Sequence, residues 1–352
     1  MAPDQAADDD ETKARPSLHE LAYDALPDKR RAWHGEPGSR EEGLGRLVLL
    51  TPEVVAYAAQ SCIKTGLRVS LNWDLNKLET ANFNRSPTQH HIFSLLGGVA
   101  FDDLYIMNPQ GSSQWDGLRH FSAPFPAADD GPPPQRLYYG GTTAAEICDR
   151  ASDRIGIQHW ARHGICGRGV LLDYVAYARR HGISYSPLAR HAIPLPALRQ
   201  MALEQGGLDF RRGDILFVRT GMTLEWETRL GWADKLAYSR DPDPRHAGLE
   251  GSEDVLRWLW DTGFAAVAGD AVAFEAYPPA PSWARPDGPD VPGLSLHERL
   301  LAGFGVPIGE LFDLEELSRT CAELGRWHFF VTSSPLNMPG GVSSPPNCLA
   351  IF

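Results

Sequence analysis

Short runs of apolar residues alternate along this chain with longer segments in which apolar residues recur every three or four positions. The short runs, bounded by glycine, proline or charged residues, predict buried strands, and the longer segments predict amphipathic helices. Strands are predicted at residues 47–50, 68–72, 92–96, 103–107, 169–175, 213–221, 264–270, 327–332 and 349–352, and helices at residues 51–64, 143–150, 195–205, 253–262, 296–304 and 314–324. Because the two kinds of element alternate, the pattern predicts an α/β fold.

The same pattern favours one domain. The sequence contains no repeat of fixed period and no linker between two cores, so residues 23–352 are predicted to form a single unit. Residues 1–22 are largely polar and charged, which predicts a disordered N-terminal tail. Stretches without periodicity at 73–90, 121–136 and 278–293 predict loops that would surround the mouth of a binding site.

One stretch of alternating polar residues, at 110–116, stands out from this pattern. If the backbone is extended there, residues two apart project to the same face and form one polar row. Gly117 could then turn the chain and bring His120 back toward the row, beside Trp115. The stretch is therefore either a functional site or a solvated loop whose side chains cap their own backbone. The residues of the row are Gln110, Ser112, Gln114 and Asp116.

Composition and charge exclude several classes of partner. The formal net charge of -12 argues against binding to nucleic acids and to anionic membranes. No apolar run is long enough to span a bilayer, and the acidic N-terminus lacks the features of a signal peptide. The five cysteines are scattered singly, without a CxxC pair, which predicts reduced thiols in a cytoplasmic protein.

Sequence motifs exclude several chemistries and leave a few isolated candidates. The chain has no GxGxxG, Walker, HExxH or GxSxG motif, so no nucleotide cofactor is expected. Asp270, at the end of a predicted strand, is either catalytic or the cap of the following turn. Arg219 either orients an anion or closes its strand through a salt bridge. His297 and Glu310 are, taken alone, ordinary surface or capping residues.

Taken in order, several blocks of the sequence resemble the cyclase family of metal-dependent hydrolases, which includes kynurenine formamidases and isatin hydrolases. The segment 45–53 is similar to the family's GTLNLLTPE, and the segment 214–221 is similar to its DxLLIRTG. The likeness extends from Tyr23 to the C-terminus. It implies the family's swivelling β/β/α domain, assembled as a homodimer or a higher homo-oligomer. The remaining similar blocks are 68–72, 167–173, 296–301, 309–311 and 340–346.

The family signature HxGTHxDxxxH falls on the polar row, and here the sequence departs from it. Gln110 and Gln114 stand where the family has its two leading histidines, and Ser112-Ser113 replaces Gly-Thr. Asp116 and the last histidine, His120, are retained. In the family, the leading histidines and the aspartate bind one metal ion, and the same aspartate, a later histidine and a later glutamate can bind a second.

The resemblance assigns roles to the remaining residues. Asp116, His297 and Glu310 match the ligands of the second position, and His120 is a general acid/base candidate beside Asp116. A glutamine carbonyl is a weaker metal ligand than an imidazole. Replacement of the two leading histidines by Gln110 and Gln114 should therefore largely abolish metal binding at the first of the two metal positions. One divalent ion, zinc or manganese, is therefore the candidate cofactor. The residues expected to contact the substrate are Gln110, Gln114, Ser113, Trp115 and Trp73.

Three functions follow from this assignment. The leading hypothesis is a metal-dependent hydrolase of an amide or lactam C–N bond, with a small-molecule substrate and a single metal ion. The alternative is a metal-independent cyclase, isomerase or lyase that acts on a secondary metabolite in the same cavity by shape and hydrogen bonding. The third is a binding protein without turnover, against which the retention of Asp116, His120, His297 and Glu310 argues.

Overall fold

The computed structural model describes residues 18–80, 85–125, 135–279 and 295–352. Its strands are β1 (Arg68–Ser70), β2 (Gln89–Leu95), β3 (Ala100–Ile106), β4 (Gln114–Asp116), β5 (Ala123–Phe125), β6 (Gln135–Leu137), β7 (Ile165–Asp173), β8 (His191–Ile193), β9 (Ile215–Arg219), β10 (Ala247–Leu249), β11 (Ala266–Gly269), β12 (Ile308–Glu310), β13 (His328–Ser333), β14 (Ser343–Ser344) and β15 (Cys348–Ile351).

Ten α-helices occur within these described ranges, together with one π-helix at Glu298–Gly303. The α-helices are α1 (Arg40–Leu44), α2 (Pro52–Cys62), α3 (Ala144–Cys148), α4 (Gln158–His163), α5 (Tyr174–Arg180), α6 (Leu195–Glu204), α7 (Met222–Thr228), α8 (Trp232–Arg240), α9 (Glu253–Thr262) and α10 (Glu315–Leu324). Short 3₁₀ segments lie at Leu18–Glu20, Tyr23–Ala25, Gly45–Leu49, Pro109–Gly111 and Tyr139–Gly141. None of the helices in the described part of the chain has the length and apolar character needed to cross a membrane.

A nine-stranded mixed sheet organises the fold. Its order is β1-β15-β13-β7-β9-β11-β12-β4-β14, with parallel pairing from β7 through β12 and antiparallel pairing on both sides of that centre. Among the described residues, three two-stranded sheets, β8–β10, β2–β3 and β5–β6, have no strand pairing with it. The predicted α/β class is therefore confirmed.

Hydrophobic packing covers both faces of the central strands. Along β9, Leu216 and Val218 belong to one core cluster, and Ile215 and Phe217 belong to another. This alternation follows from the two-residue period of a strand. Helix α9 packs its apolar stripe on the first cluster, and α10 packs on the second. Strands buried on both faces account for the continuous apolar runs in the sequence.

Most predicted elements are confirmed within a few residues, but the strand predicted at 47–50 is wrong. That segment is a 3₁₀ helix following α1, and its shape depends on contacts remote in sequence. The Arg46 backbone N–H donates to the Gly305 carbonyl at 2.7 Å, and the buried Arg46 guanidinium donates to the carbonyls of Trp260 and Phe264. At Gly45, where φ is +55°, a Cβ atom would lie 2.4 Å from the Gly305 oxygen.

The packed part of the chain begins earlier than the predicted boundary at residue 23. Residues 1–17 lie outside the described residues, but Leu18–Glu20 forms a 3₁₀ turn, and His19 is buried beside Trp260 and His34. The packed part of the chain therefore includes residues 18–22, which were predicted to be disordered. Parts of the predicted loops, at 81–84, 126–134 and 280–294, also fall outside the described residues.

Candidate metal centre and its cavity

Strand β4 places the candidate site within the central sheet. It lies between β12 and β14, with Gln114 opposite Glu310 and Asp116 opposite Ile308. Strand alternation sends Gln114 and Asp116 to one face and Trp115 to the other. Trp115 is fully buried against Phe312. Its side chain therefore belongs to the core, while its two neighbours face the site.

The segment before β4 differs from the predicted extended row. Pro109–Gly111 forms a 3₁₀ turn, and Asn108 caps it by accepting a hydrogen bond from the Gln110 backbone N–H at 3.0 Å. The Gln110 side chain nevertheless returns to the site. Its amide nitrogen donates to Asp116 Oδ1 at 3.0 Å and lies 2.9 Å from His120 Nδ1. The turn predicted at Gly117 is present, and the His120 N–H donates to the Gly117 carbonyl.

Asp116 and two imidazole rings form a compact buried group. Asp116 is completely buried, and its Oδ2 atom has no hydrogen-bond partner among the described residues. That oxygen lies 3.7 Å from His120 Nε2 and 3.8 Å from His297 Nε2. The ligand atoms of these three residues all lie within 4.8 Å of one another. Such a group of oxygen and nitrogen donors could hold one divalent metal ion.

Two further carboxylates hold His297 from either side. Its Nδ1 atom is 2.7 Å from Glu275 Oε2, and its Nε2 atom is 2.9 Å from Glu310 Oε1. The His297 backbone N–H also donates to Glu275 Oε1 at 3.2 Å. The sequence interpretation missed Glu275, although a single acidic residue within the apolar run 271–277 was a usable signal.

Gln114 completes the group on the other side of Glu310. Its amide nitrogen donates to Glu310 Oε2 at 2.6 Å, while its own carbonyl oxygen is buried and accepts no hydrogen bond from the residues described here. The structure thus brings six predicted site residues into one cluster. They are Gln110, Gln114, Asp116, His120, His297 and Glu310.

Burial and neighbouring charge set the protonation of this group. Burial opposes ionisation of Asp116, but His120 and His297 outweigh it and lower the pKa of that carboxyl group. Burial and the nearby Asp116 charge raise the pKa of Glu310 to about 7. Burial alone would lower the pKa of His297, yet Glu275, Asp116 and Glu310 raise it well above its ordinary value. For His120, burial prevails over Asp116, and the pKa is lowered.

A cavity of about 280 Å³ opens beside the cluster. This size suits a small organic molecule rather than a polymer. His120, His297 and Glu310 reach its wall, so the cluster is accessible from the cavity. The other lining residues, which the sequence interpretation did not identify, are Arg85, Phe121, His246, Val272, Ala273, Glu275, Tyr277 and Ser295.

The structure places the remaining predicted substrate contacts in packing positions. The Ser113 hydroxyl donates to the Leu311 carbonyl at 2.6 Å and accepts from the Trp73 backbone N–H at 2.7 Å. The Trp73 ring packs edge-on against Trp226, and its indole N–H donates to Glu227. None of Ser113, Trp73 and Trp115 is among the residues that line the cavity.

The two open alternatives elsewhere are resolved in favour of structural roles. Asp270 accepts hydrogen bonds from the backbone N–H groups of Thr220 and Gly221, so it caps the turn after β9 rather than the turn that follows it in the chain. Arg219 forms salt bridges with Asp173 and Glu315. Neither residue lines the cavity beside the cluster.

The donor set fits a single divalent ion. Within the described part of the chain, Asp116 Oδ2 is a buried carboxylate oxygen that accepts no hydrogen bond, and a cation held between it and the two imidazoles would neutralise its charge. The Glu275–His297 pair has the carboxylate–histidine arrangement that orients imidazole ligands at metal centres. The carboxylate–histidine centre is buried in a mixed α/β sheet and lies beside a cavity of small-molecule size. This combination is typical of α/β enzymes with a metal-assisted active site, and it makes the cluster a candidate site of that kind.

Comparison with known proteins identifies the family. A family model described as putative cyclase matches residues 69–276, and the chain belongs to this cyclase family of enzymes. The predicted resemblance is thereby confirmed. A crystal structure of a novel cyclase superposes with a TM-score of 0.71 at 28% identity, covering 89% of this chain and 97% of that one.

Isatin hydrolases share the fold at lower identity. Isatin hydrolase A from Ralstonia solanacearum has a TM-score of 0.55 at 14% identity, with 86% of this chain and 97% of that chain covered. Isatin hydrolase A from Labrenzia aggregata, solved with benzyl benzoate, has a TM-score of 0.53 at 14% identity, with 85% and 97% covered. No curated protein sequence matches this chain significantly.

Proposed function

We propose that this enzyme hydrolyses an amide or lactam C–N bond in the cavity beside β4, with one zinc or manganese ion. The observation that carries the proposal is Asp116 Oδ2, a buried carboxylate oxygen that faces His297 Nε2 and has no hydrogen-bond partner in the ranges that the structure describes. Glu310 approaches the same imidazole nitrogen at 2.9 Å. We assign Asp116, His297 and Glu310 as the residues that would hold the ion.

A bound divalent ion would polarise the substrate carbonyl and lower the pKa of a water molecule. The protein's own groups would supply the rest of the chemistry. His120 lines the cavity and would transfer the proton between the attacking water and the leaving nitrogen. Glu275 would keep the His297 ring in place, and the Gln110 amide would hold Asp116 in its orientation.

Metal analysis of the purified enzyme tests this proposal. We expect stoichiometric zinc or manganese, and loss of hydrolysis after treatment with a chelator, with recovery when the metal is restored. Isatin is a suitable first lactam substrate, because isatin hydrolases share the fold. Absence of metal, together with activity that survives the chelator, would refute the assignment.

His120 requires a separate test, because its ring also lies within reach of the candidate ion. The variant His120→Ala is expected to retain the metal and to lose most of its activity, which is the behaviour of a proton-transfer residue. Metal content is measured by elemental analysis, and activity by single-substrate kinetics. Loss of metal from this variant would instead make His120 a ligand.

A second candidate function rests on the two glutamines. Their amide groups donate to Asp116 Oδ1 and Glu310 Oε2, so each carboxylate already has a hydrogen-bond donor without a metal. This arrangement favours a metal-independent cyclase, isomerase or lyase of a secondary metabolite. Such an enzyme would be insensitive to chelators and would add no solvent oxygen to its product. Incorporation of heavy oxygen from labelled water would contradict it.

Glu275 offers a prediction that depends on the metal rather than on catalysis. In Glu275→Gln the charged acceptor of His297 Nδ1 is lost, so metal affinity is expected to fall by about 10- to 100-fold. The measurement is competition with a chromophoric chelator. Glu298→Gln is the matched control, since this neighbouring buried glutamate pairs with Arg136 instead. Equal affinities in the two variants would count against a positioning role for Glu275.

A further inference from the structure

A second cavity, of about 300 Å³, lies away from the candidate metal centre. It is lined by Arg168 of β7 and by residues of the segment 205–211, which leads into β9, so it lies toward the amino ends of these parallel strands. The candidate metal centre instead includes Glu310, at the carboxyl end of β12. Within the described ranges, the two cavities share no lining residue.

The wall of this second cavity is cationic, although the chain as a whole carries a net charge of -12. Arg168, Arg211 and Arg326 line it, and Asp209 is the one carboxylate among the described lining residues. His328 lies beside the arginines. Burial, followed by the charges of all three guanidinium groups, lowers the pKa of this histidine. The three arginines are therefore close enough together to act on one imidazole.

Two of the three arginines have acceptors within the protein. Arg168 donates to both carboxylate oxygens of Asp214, at 2.9 and 2.8 Å, in an ion pair that is almost completely buried. Arg211 donates to the Tyr57 hydroxyl, and its Nε atom lies 3.4 Å from Asp209 Oδ2. The Asp209 side chain is 75% exposed, so this second ion pair is weak. Arg168 is thus neutralised, whereas the charge of Arg211 is largely available to a ligand.

Arg326 differs from both, because no described carboxylate forms a salt bridge with it. Its Nε and Nη2 atoms are shielded from solvent and donate to no described acceptor. The guanidinium packs over the Phe352 ring, 5.3 Å from its centroid. A partly desolvated guanidinium without a counter-ion costs free energy, and its strongest hydrogen bonds are formed with carboxylate and phosphate oxygens. Arg326 is therefore the residue that most directly indicates an anionic ligand.

We propose that this cavity binds a small organic anion, whose carboxylate or phosphoryl group is held by Arg326 and Arg211 with His328 as a further hydrogen-bond partner. The volume suits a small molecule rather than a polymer, and the negative charge of the whole chain disfavours nucleic acid. Tyr57 and Trp327 add aromatic surface to the wall, which suits an anion with an apolar body. This binding site is separate from the proposed hydrolase activity.

Isothermal titration calorimetry of the full-length protein tests the proposal with two probes. Inorganic phosphate represents the phosphoryl group, and benzoate represents a carboxylate on an apolar body. In a phosphate-free buffer of low ionic strength, we expect saturable binding of at least one of them. The affinity should fall as salt is added, because screening weakens the attraction between charges. The probe that binds more tightly identifies the class of anion.

Substitutions at two arginines assign the binding to this cavity. Arg326→Gln is expected to weaken binding of the probe by at least about 10-fold, the effect of losing a hydrogen bond to a charged group. Arg319→Gln is the matched control, since Arg319 is exposed on α10 and pairs with Glu316. It should bind the probe as the wild type does. Arg211→Gln, at a more exposed side chain, should reproduce the loss even if Arg326→Gln proves unstable.

Circular dichroism melting shows whether each variant is folded. Absence of saturable binding by either probe up to about 10 mM would overturn the proposal. Equal affinities of the folded Arg326→Gln and Arg319→Gln variants would also overturn it, because the probe would then bind elsewhere, such as at the candidate metal centre. The measurement does not involve catalysis, so its result is independent of the proposed hydrolase activity.

Discussion

Replacement of Asp116 by asparagine is expected to lower kcat/KM by at least about a thousandfold, which corresponds to about 4 kcal/mol of transition-state stabilisation. Asp116 is the residue on which the cluster converges, since its two oxygens face Gln110, His120 and His297. Asparagine keeps the size of the side chain but removes its negative charge. Under the proposed metal-assisted reaction, the variant should also bind less metal than the wild type, as measured by elemental analysis beside steady-state kinetics.

Asp313→Asn is the matched control for this experiment. Its carboxylate is partly buried, but it accepts a hydrogen bond from the Glu315 backbone and does not line the cavity. We expect this control to keep the activity and the metal content of the wild type. Full activity in Asp116→Asn would exclude β4 as the catalytic strand. If the wild-type enzyme contains no metal and the Asp116→Asn variant still loses activity, the metal-independent reaction would be favoured.

Truncation of Trp115 to alanine is expected to destabilise the fold by about 3–5 kcal/mol, the usual cost of removing a large aromatic side chain from a core. Trp115 is fully buried against Phe312, and its indole N–H donates to Ser333 Oγ at 2.9 Å. Gly309 lies opposite it, where a Cβ atom would approach the Trp115 ring to 3.0 Å. The free energy of unfolding is measured by urea denaturation.

The same residue distinguishes a packing role from substrate contact. Trp115→Phe is expected to lose stability while its KM remains close to that of the wild type, because the ring does not line the cavity. Trp232→Ala, at a position 62% exposed, should change stability by no more than about 0.5 kcal/mol. A Trp115→Phe variant with normal stability and a strongly altered KM would restore the sequence prediction of substrate contact.

Much of the fold could be predicted because its signals are local. The apolar run of β9 and the amphipathic period of α9 are properties of short segments, and both elements form where they were predicted. The segment 47–50 failed for the opposite reason. Its run of apolar residues is typical of a strand, but the close approach of Gly45 to Gly305 and the burial of Arg46 impose a 3₁₀ helix. Those partners are more than 200 residues away and leave no local mark.

The candidate site, too, could be predicted only where its signals are local in the sequence. The position of Asp116 and His120 could be predicted from one short stretch, with Gln110 and Gln114 marking the departure from the family signature. Glu275 was missed, because its role arises only when it meets His297 across 22 residues of sequence. Trp115 and Trp73 were expected to contact the substrate, but both rings are packed in the core. Composition does not show whether an aromatic ring faces a cavity or the core.

The sequence by itself determined the α/β class, the family and the strand on which the candidate site is centred, because apolar periodicity and short motifs are properties of consecutive residues. Only the tertiary structure decided that Gln110 reaches Asp116 from a 3₁₀ turn. It also decided that Glu275 and Glu310 enclose His297, and that both faces of the β2–β3 hairpin are exposed. These features depend on sheet order and on contacts between distant segments. The physical reason is that burial and charge are set by neighbours in space, whereas periodicity is set by neighbours in the chain.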